Sequence, residues 1–100
     1  MNMSAKLSDD TIKEHLETLP YWRFSDNALE RVHTGDTYLQ ALDLLNAIGK
    51  WADERDHHPD LYLRYKELTI RYWTHTAQGV TLHDVEAARE VEKLIRQKLS

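Results

Sequence analysis

The longest periodic run in the chain sets its architecture. After Gly35-Asp36-Thr37, the residues Tyr38, Leu42, Leu45, Ile48 and Ala52 recur at helical spacing, with Ala41, Leu44 and Trp51 widening the stripe. The spacing predicts a central helix running to about Arg55. The run ends in Asp56-His57-His58-Pro59-Asp60, where Pro59 biases His58 towards extended backbone and stops the helix. A chain built this way delivers two adjacent histidines to the C-terminal end of its central helix.

Each side of that helix carries a pair of strand-like segments. Tyr21 to Ser25 and Leu29 to Thr34 form the first pair, with Asp26-Asn27 as the turn and an imperfect alternation. Leu61 to Tyr65 and Glu67 to Trp73 form the second. Leu61, Leu63 and Tyr65 alternate on one face, as do Leu68, Ile70 and Tyr72, while Arg64, Glu67, Thr69 and Arg71 face away. Strict alternation sends His75 away from the helix-covered side as well, unless the strand ends or bulges near Thr74.

Two capping signals mark the outer helices. Ser8 caps the first, with Asp9 and Asp10 at the positive end of the dipole and Leu7 and Ile12 as a staple. Its face is Ile12, Leu16 and Leu19, and Pro20 ends it. Thr81 and Asp84 are placed for a capping box on the last helix, with Val80 and Val85 as its staple. Val85, Ala88, Val91, Leu94 and Ile95 form the inward stripe. The order αββαββα predicts a single α+β domain over residues 1–100. It is an antiparallel four-stranded sheet with three helices packed on one face. The other face is left open to solvent, a ligand or a partner.

Composition removes several function classes. The net charge is −4 with histidine neutral and no basic stripe is visible, which argues against direct nucleic-acid binding. Without cysteine there is no disulfide scaffold, no thiolate zinc site and no thiol nucleophile, and a reducing cytoplasm is the expected location. No segment approaches the ~18 apolar residues of a membrane span, and Met1 to Leu7 lack a signal-peptide core.

Histidine is the residue type in excess, and it is the side chain that exchanges protons near neutral pH. His57, His58 and His75 lie near Asp56, Asp60 and Asp84 in sequence, which suits either acid–base chemistry or a metal site. A metal is disfavoured because neither a helical H-E-x-x-H nor an H-x-H ladder is present. Ser4, Ser8, Ser25 and Ser100 occupy no nucleophile turn, and the isolated Gly35, Gly49 and Gly79 form no phosphate loop. His15, His33 and His83 stand outside the grouping and are expected at the surface. Taken singly, each histidine is more simply a loop or surface residue, and Asp84 a helix cap.

The spaced set is more specific than its parts. Asp53, three residues, His57-His58-Pro59, five residues, Tyr65, nine residues, His75, eight residues and Asp84 resemble the pattern of the pterin-4a-carbinolamine dehydratase family. Thr74-His75-Thr76 and Gly79-Val80-Thr81-x-x-Asp84 are similar to that family too, as is the order of elements. The chain departs from it at Asp53, which is shorter than the Glu often found there, and at His83, which replaces an Arg of some relatives.

The resemblance implies metal-free and cofactor-free removal of water from a 4a-hydroxytetrahydropterin left by an aromatic amino-acid hydroxylase. It implies that His57, His58 and His75 are catalytic, with His57 and His75 the principal proton-transfer residues and His58 contacting the pterin and assisting, and that Asp84 orients a histidine or the substrate. Asp53 would help fix the site and Tyr65 would pack. It further implies a homodimer or homotetramer. The alternative on the same fold is a non-catalytic dimerisation cofactor or assembly factor, which the complete histidine pattern argues against.

Overall fold

The computed structural model describes residues 2–99, with side chains from Asn2 to Gln97. Helix α1 (Asp9–Leu16) begins where Ser8 accepts the Thr11 N–H. It ends a turn before Pro20, as the N–H groups of Glu17, Thr18 and Leu19 reach back to carbonyls three residues earlier. Strands β1 (Trp22–Ser25) and β2 (Ala28–Thr34) are joined by Asp26 and Asn27 at φ 48° and 63°, the primed turn that matches strand twist.

Helix α2 (Tyr38–Arg55) is capped by the Thr37 hydroxyl, which accepts the Gln40 N–H. Its buried line is Ala41, Leu44, Ile48 and Ala52. The expected stripe through Tyr38, Leu42 and Leu45 is therefore rotated: Tyr38 is 46% exposed and the two leucines are half-buried. The helix packs chiefly along α3 (Leu82–Leu99), and that neighbour selects which of two adjacent apolar lines turns inward.

Strands β3 (Asp60–Arg64) and β4 (Glu67–Tyr72) pair with Tyr62 opposite Thr69. Their turn is Tyr65-Lys66, with Tyr65 at φ 52° and 70% exposed. Tyr65 is thus a turn residue in solvent and does not continue the inward face of Leu61 and Leu63. The sheet is antiparallel throughout, in the order β1-β2-β4-β3. This is the α+β fold of order αββαββα, with three helices and four strands.

Trp22, Leu29, Leu68, Ile70 and Tyr72 form the helix-covered face, together with Ile12, Leu44, Ile48, Val85 and Val91. Arg31 also lies on that face. Its Nε donates to Glu92 Oε2 at 2.8 Å, and Trp22 Nε1 donates to the same oxygen at 2.8 Å. The open face carries a second cluster, in which Glu30 accepts from Arg23 at 2.7 Å and from Arg71 at 2.8 Å.

Candidate active site

The end of α2 aims the first histidine. Asp56 takes the left-handed conformation at φ 51°, and the His57 N–H returns to the Ala52 carbonyl at 3.0 Å. Such a cap satisfies the last helical carbonyls while turning the chain sharply. His57 then lies against Tyr72, ring centroids 5.2 Å apart, with Nε2 2.6 Å from Asp84 Oδ1. The His57 side chain keeps 19% of its surface exposed and Asp84 keeps none. His58 turns the other way, its Nε2 3.2 Å from Asp53 Oδ1 in solvent.

Asp84 is a cap and a site residue at once. Its Oδ2 accepts the Thr81 N–H at 2.9 Å, closing the capping box, and the Thr74 hydroxyl at 2.8 Å. Oδ1 is left for His57. Placement at the start of α3 also puts the carboxylate at the favourable end of the helix dipole.

His75 reaches the site because β4 stops early. The strand ends at Tyr72, Thr74 bridges to Gly79, and a 3₁₀ turn over His75–Ala77 loops out between them. Gln78 closes that turn at φ 58°. The interruption breaks the alternation that would have carried His75 away. The His75 ring rests 4.0 Å from that of Trp73.

His57, His58 and His75 line one cavity of about 370 Å³, with Asp56, Trp73, Thr74 and Thr76. Asp84 stands behind His57, and Asp53 sits outside, holding His58. Among the described residues, no group of three His, Cys, Asp or Glu side chains is arranged to hold a metal ion. The arrangement suits proton exchange with a small molecule. Tyr72 is no candidate for that exchange: burial, then the Asp84 charge, pushes its phenol well above the usual range. It stays a donor, at 3.4 Å from the His57 carbonyl.

His83 is not the free surface residue expected of it. One position before Asp84, it faces the end of α2, its ring 6.0 Å from that of His57. It lines a second cavity of about 260 Å³ with Met3, Trp51, Arg55, Glu86 and His57. Its place in the first turn of α3, next to the capping acid, is the signal in the sequence that could have found it. Thr74 was legible only as a flank of the motif, and Thr81 as a flank and as the cap of the last helix.

The chain is similar to known proteins over most of its length. Residues 5–94 match the family model described as Pterin 4 alpha carbinolamine dehydratase. A Mycolicibacterium smegmatis protein provisionally named pterin-4-alpha-carbinolamine dehydratase is 35% identical over 91 residues, covering 91% of this chain and 97% of the relative. A Halobacterium salinarum protein of the same provisional name is 38% identical over 90 residues, covering 90% and 97%. Among solved structures, a transcriptional coactivator/pterin dehydratase from Brucella melitensis superposes with a TM-score of 0.85 at 25% identity, covering 89% of this chain and 97% of that one.

Proposed function

The chain belongs to the pterin 4 alpha carbinolamine dehydratase family, and on that premise we propose that it removes water from a 4a-hydroxytetrahydropterin to give the quinonoid dihydropterin. The observation that carries the reading is the convergence of His57, His58 and His75 on one cavity, with a buried carboxylate behind His57. A volume near 370 Å³ lies within the usual range for a small-molecule site.

The chemistry needs two proton transfers. One histidine takes the proton of a pterin ring nitrogen, and the N–H electron pair becomes the new C=N bond. The C4a–O bond breaks, and the departing hydroxyl leaves as water with a proton from a second histidine. His57 and His75 take these two roles. His58 contacts the pterin and Asp53 fixes His58, while Asp84 orients His57. Imidazoles suit both tasks because their ordinary pKa lies close to neutrality. The reaction returns cofactor spent by an aromatic amino-acid hydroxylase, in the cytoplasm and without direct contact to nucleic acid. No helix among the described residues is long and apolar enough to cross a membrane.

The protein acts as a homo-oligomer joined through β3. Among the described residues, β3 is an edge of the sheet. Its sequence, Asp60-Leu61-Tyr62-Leu63-Arg64, is self-complementary when run antiparallel to a second copy centred on Tyr62. Asp60 then faces Arg64 of the partner and Leu61 faces Leu63. Arg64 and Glu67 flank a two-residue turn as a hydrogen-bonded pair, so by alternation Leu61 and Leu63 point their backbone groups outward. A pairing centred on Tyr62 uses those groups.

A protein-binding role is the second reading, and the coactivator label of the Brucella melitensis structure is what favours it. The deciding experiment follows the ultraviolet loss of freshly made 4a-hydroxytetrahydropterin with wild type, His57→Ala and His75→Ala, folding being checked by circular dichroism. Acceleration that collapses in the folded variants is expected. Folded wild type without acceleration, at several pH values and with more than one pterin, would sink the dehydratase reading.

A further inference from the structure

We infer that Thr74 and Thr81 are positioning residues: they form a one-way hydroxyl relay that fixes the proton of neutral His57 on Nε2 and leaves Nδ1 as the proton acceptor of the site. The inference rests on the dehydratase reading for the reaction it serves, but not for where the protons lie.

The direction of the relay follows from donors that have no choice. A backbone N–H can only donate, and the His83 N–H lies 3.2 Å from Thr81 Oγ1. Thr81 Oγ1 is 2.9 Å from Thr74 Oγ1, and Thr74 Oγ1 donates to Asp84 Oδ2 at 2.8 Å. Thr74 has one hydroxyl proton, committed to Asp84 by the 2.8 Å contact, so Thr81 donates to Thr74 at 2.9 Å in preference to Asp84 Oδ2 at 3.5 Å. Every proton in the chain therefore points towards Asp84. The Thr81 N–H adds a second obligate donor on Oδ2 at 2.9 Å.

Taken as the carboxylate, Asp84 accepts at Oδ2 and at Oδ1. His57 Nε2, 2.6 Å from Oδ1, then carries the hydrogen. A neutral imidazole holds one N–H, so its lone pair is on Nδ1. That nitrogen has no partner among the described residues, and none of their buried side-chain nitrogens or oxygens is left unpartnered, so Nδ1 reaches solvent. When Nδ1 takes a proton, the imidazolium that results already has its other N–H against a carboxylate. Removing the Thr74 hydroxyl takes one donor from Oδ2 and leaves the Thr81 proton only the long 3.5 Å contact with Asp84 Oδ2. Asp84 is then held at Oδ2 mainly by the Thr81 N–H, and His57 is kept less firmly in its Nε2-protonated form.

The test is nitrogen NMR of histidine-labelled protein at alkaline pH, combined with carbinolamine turnover. Wild type is expected to show a bare Nδ1 and a protonated Nε2. Thr74→Val is expected to populate the opposite tautomer. It should lose about ten-fold in kcat with little change in KM, the scale of one hydrogen bond to a charged group. Thr74→Ser, which keeps the hydroxyl, should restore both. An Nδ1-protonated His57 in wild type would overturn the relay, as would Thr74→Val with unchanged tautomer and kcat. The tautomer is read in the resting wild-type protein, so it decides the relay even if Thr74→Val fails to fold. Absent turnover with the expected tautomer would count against the dehydratase reading alone.

Discussion

At the scale of single residues, the proposed chemistry rests on one short contact between His57 and a carboxylate sealed from solvent. Asp84→Asn keeps the size of the side chain and an acceptor for the Thr81 N–H. Its amide must donate to one neighbour or the other, however. We expect kcat to fall about 100-fold or more, in line with the loss of a correctly oriented acid–base group, while the melting temperature drops by only a few degrees. Single-turnover kinetics beside a thermal melt separates the two effects. Asp53→Ala should do much less. Both side chains of the Asp53–His58 pair are largely exposed, and exposed pairs contribute about 0–1 kcal/mol. The grouping of His57, His58 and His75 was legible because the spacing of the motif is a property of the chain. The places of His83 and Thr74 were not. They depend on an early strand end and on how α3 meets the end of α2, and both are decided by contacts with other elements.

At the scale of elements, charged residues inside the fold explain where the sequence misleads. Strand β2 turns Leu29, Arg31 and His33 towards the helices, so its inward row does not alternate by hydrophobicity. What makes Arg31 tolerable there is Glu92, which lies on α3, far along the chain. Local pattern carries no trace of that partner. The same applies to α2, whose periodicity was plain and whose rotation was set by α3. Glu92→Ala leaves Arg31 and the Trp22 indole without their shared acceptor, and we expect a loss of about 3 kcal/mol in urea unfolding. At the β3 edge, Asp60→Arg alone should shift the protein towards smaller species in sedimentation, by placing like charges face to face. Adding Arg64→Asp should restore assembly. Assembly indifferent to both changes would move the interface elsewhere.

At the scale of the whole molecule, acid should weaken the fold in two stages. Burial, then the charge of Arg31, holds the His33 imidazole below its ordinary 6.5. The hydrogen bond from Arg71, aided by Arg23 and opposed by burial, holds the Glu30 carboxyl below its ordinary 4.5. Both groups bind protons more weakly folded than unfolded. Each therefore contributes stability that is complete above its ordinary pKa and is lost as pH falls through the folded one. Melting temperature should be flat above pH 7, decline below about 6.5 and steepen below about 4.5. Glu30→Gln should shrink the lower stage and His33→Asn the upper, as calorimetry across pH would show. The joints between elements offer the opposite lever. Asp26, Asn27, Asp56, Tyr65 and Gln78 all sit at positive φ, and among the described residues no glycine does. A thermostabilised version of this protein has its cheapest gains there. Tyr65→Gly and Gln78→Gly should each raise the melting point by about 4 °C, because glycine adopts that backbone without a Cβ clash. Asp56 is the joint such a redesign would leave alone: stiffness there keeps His57 aimed, and heat tolerance won at that position would be taken from turnover.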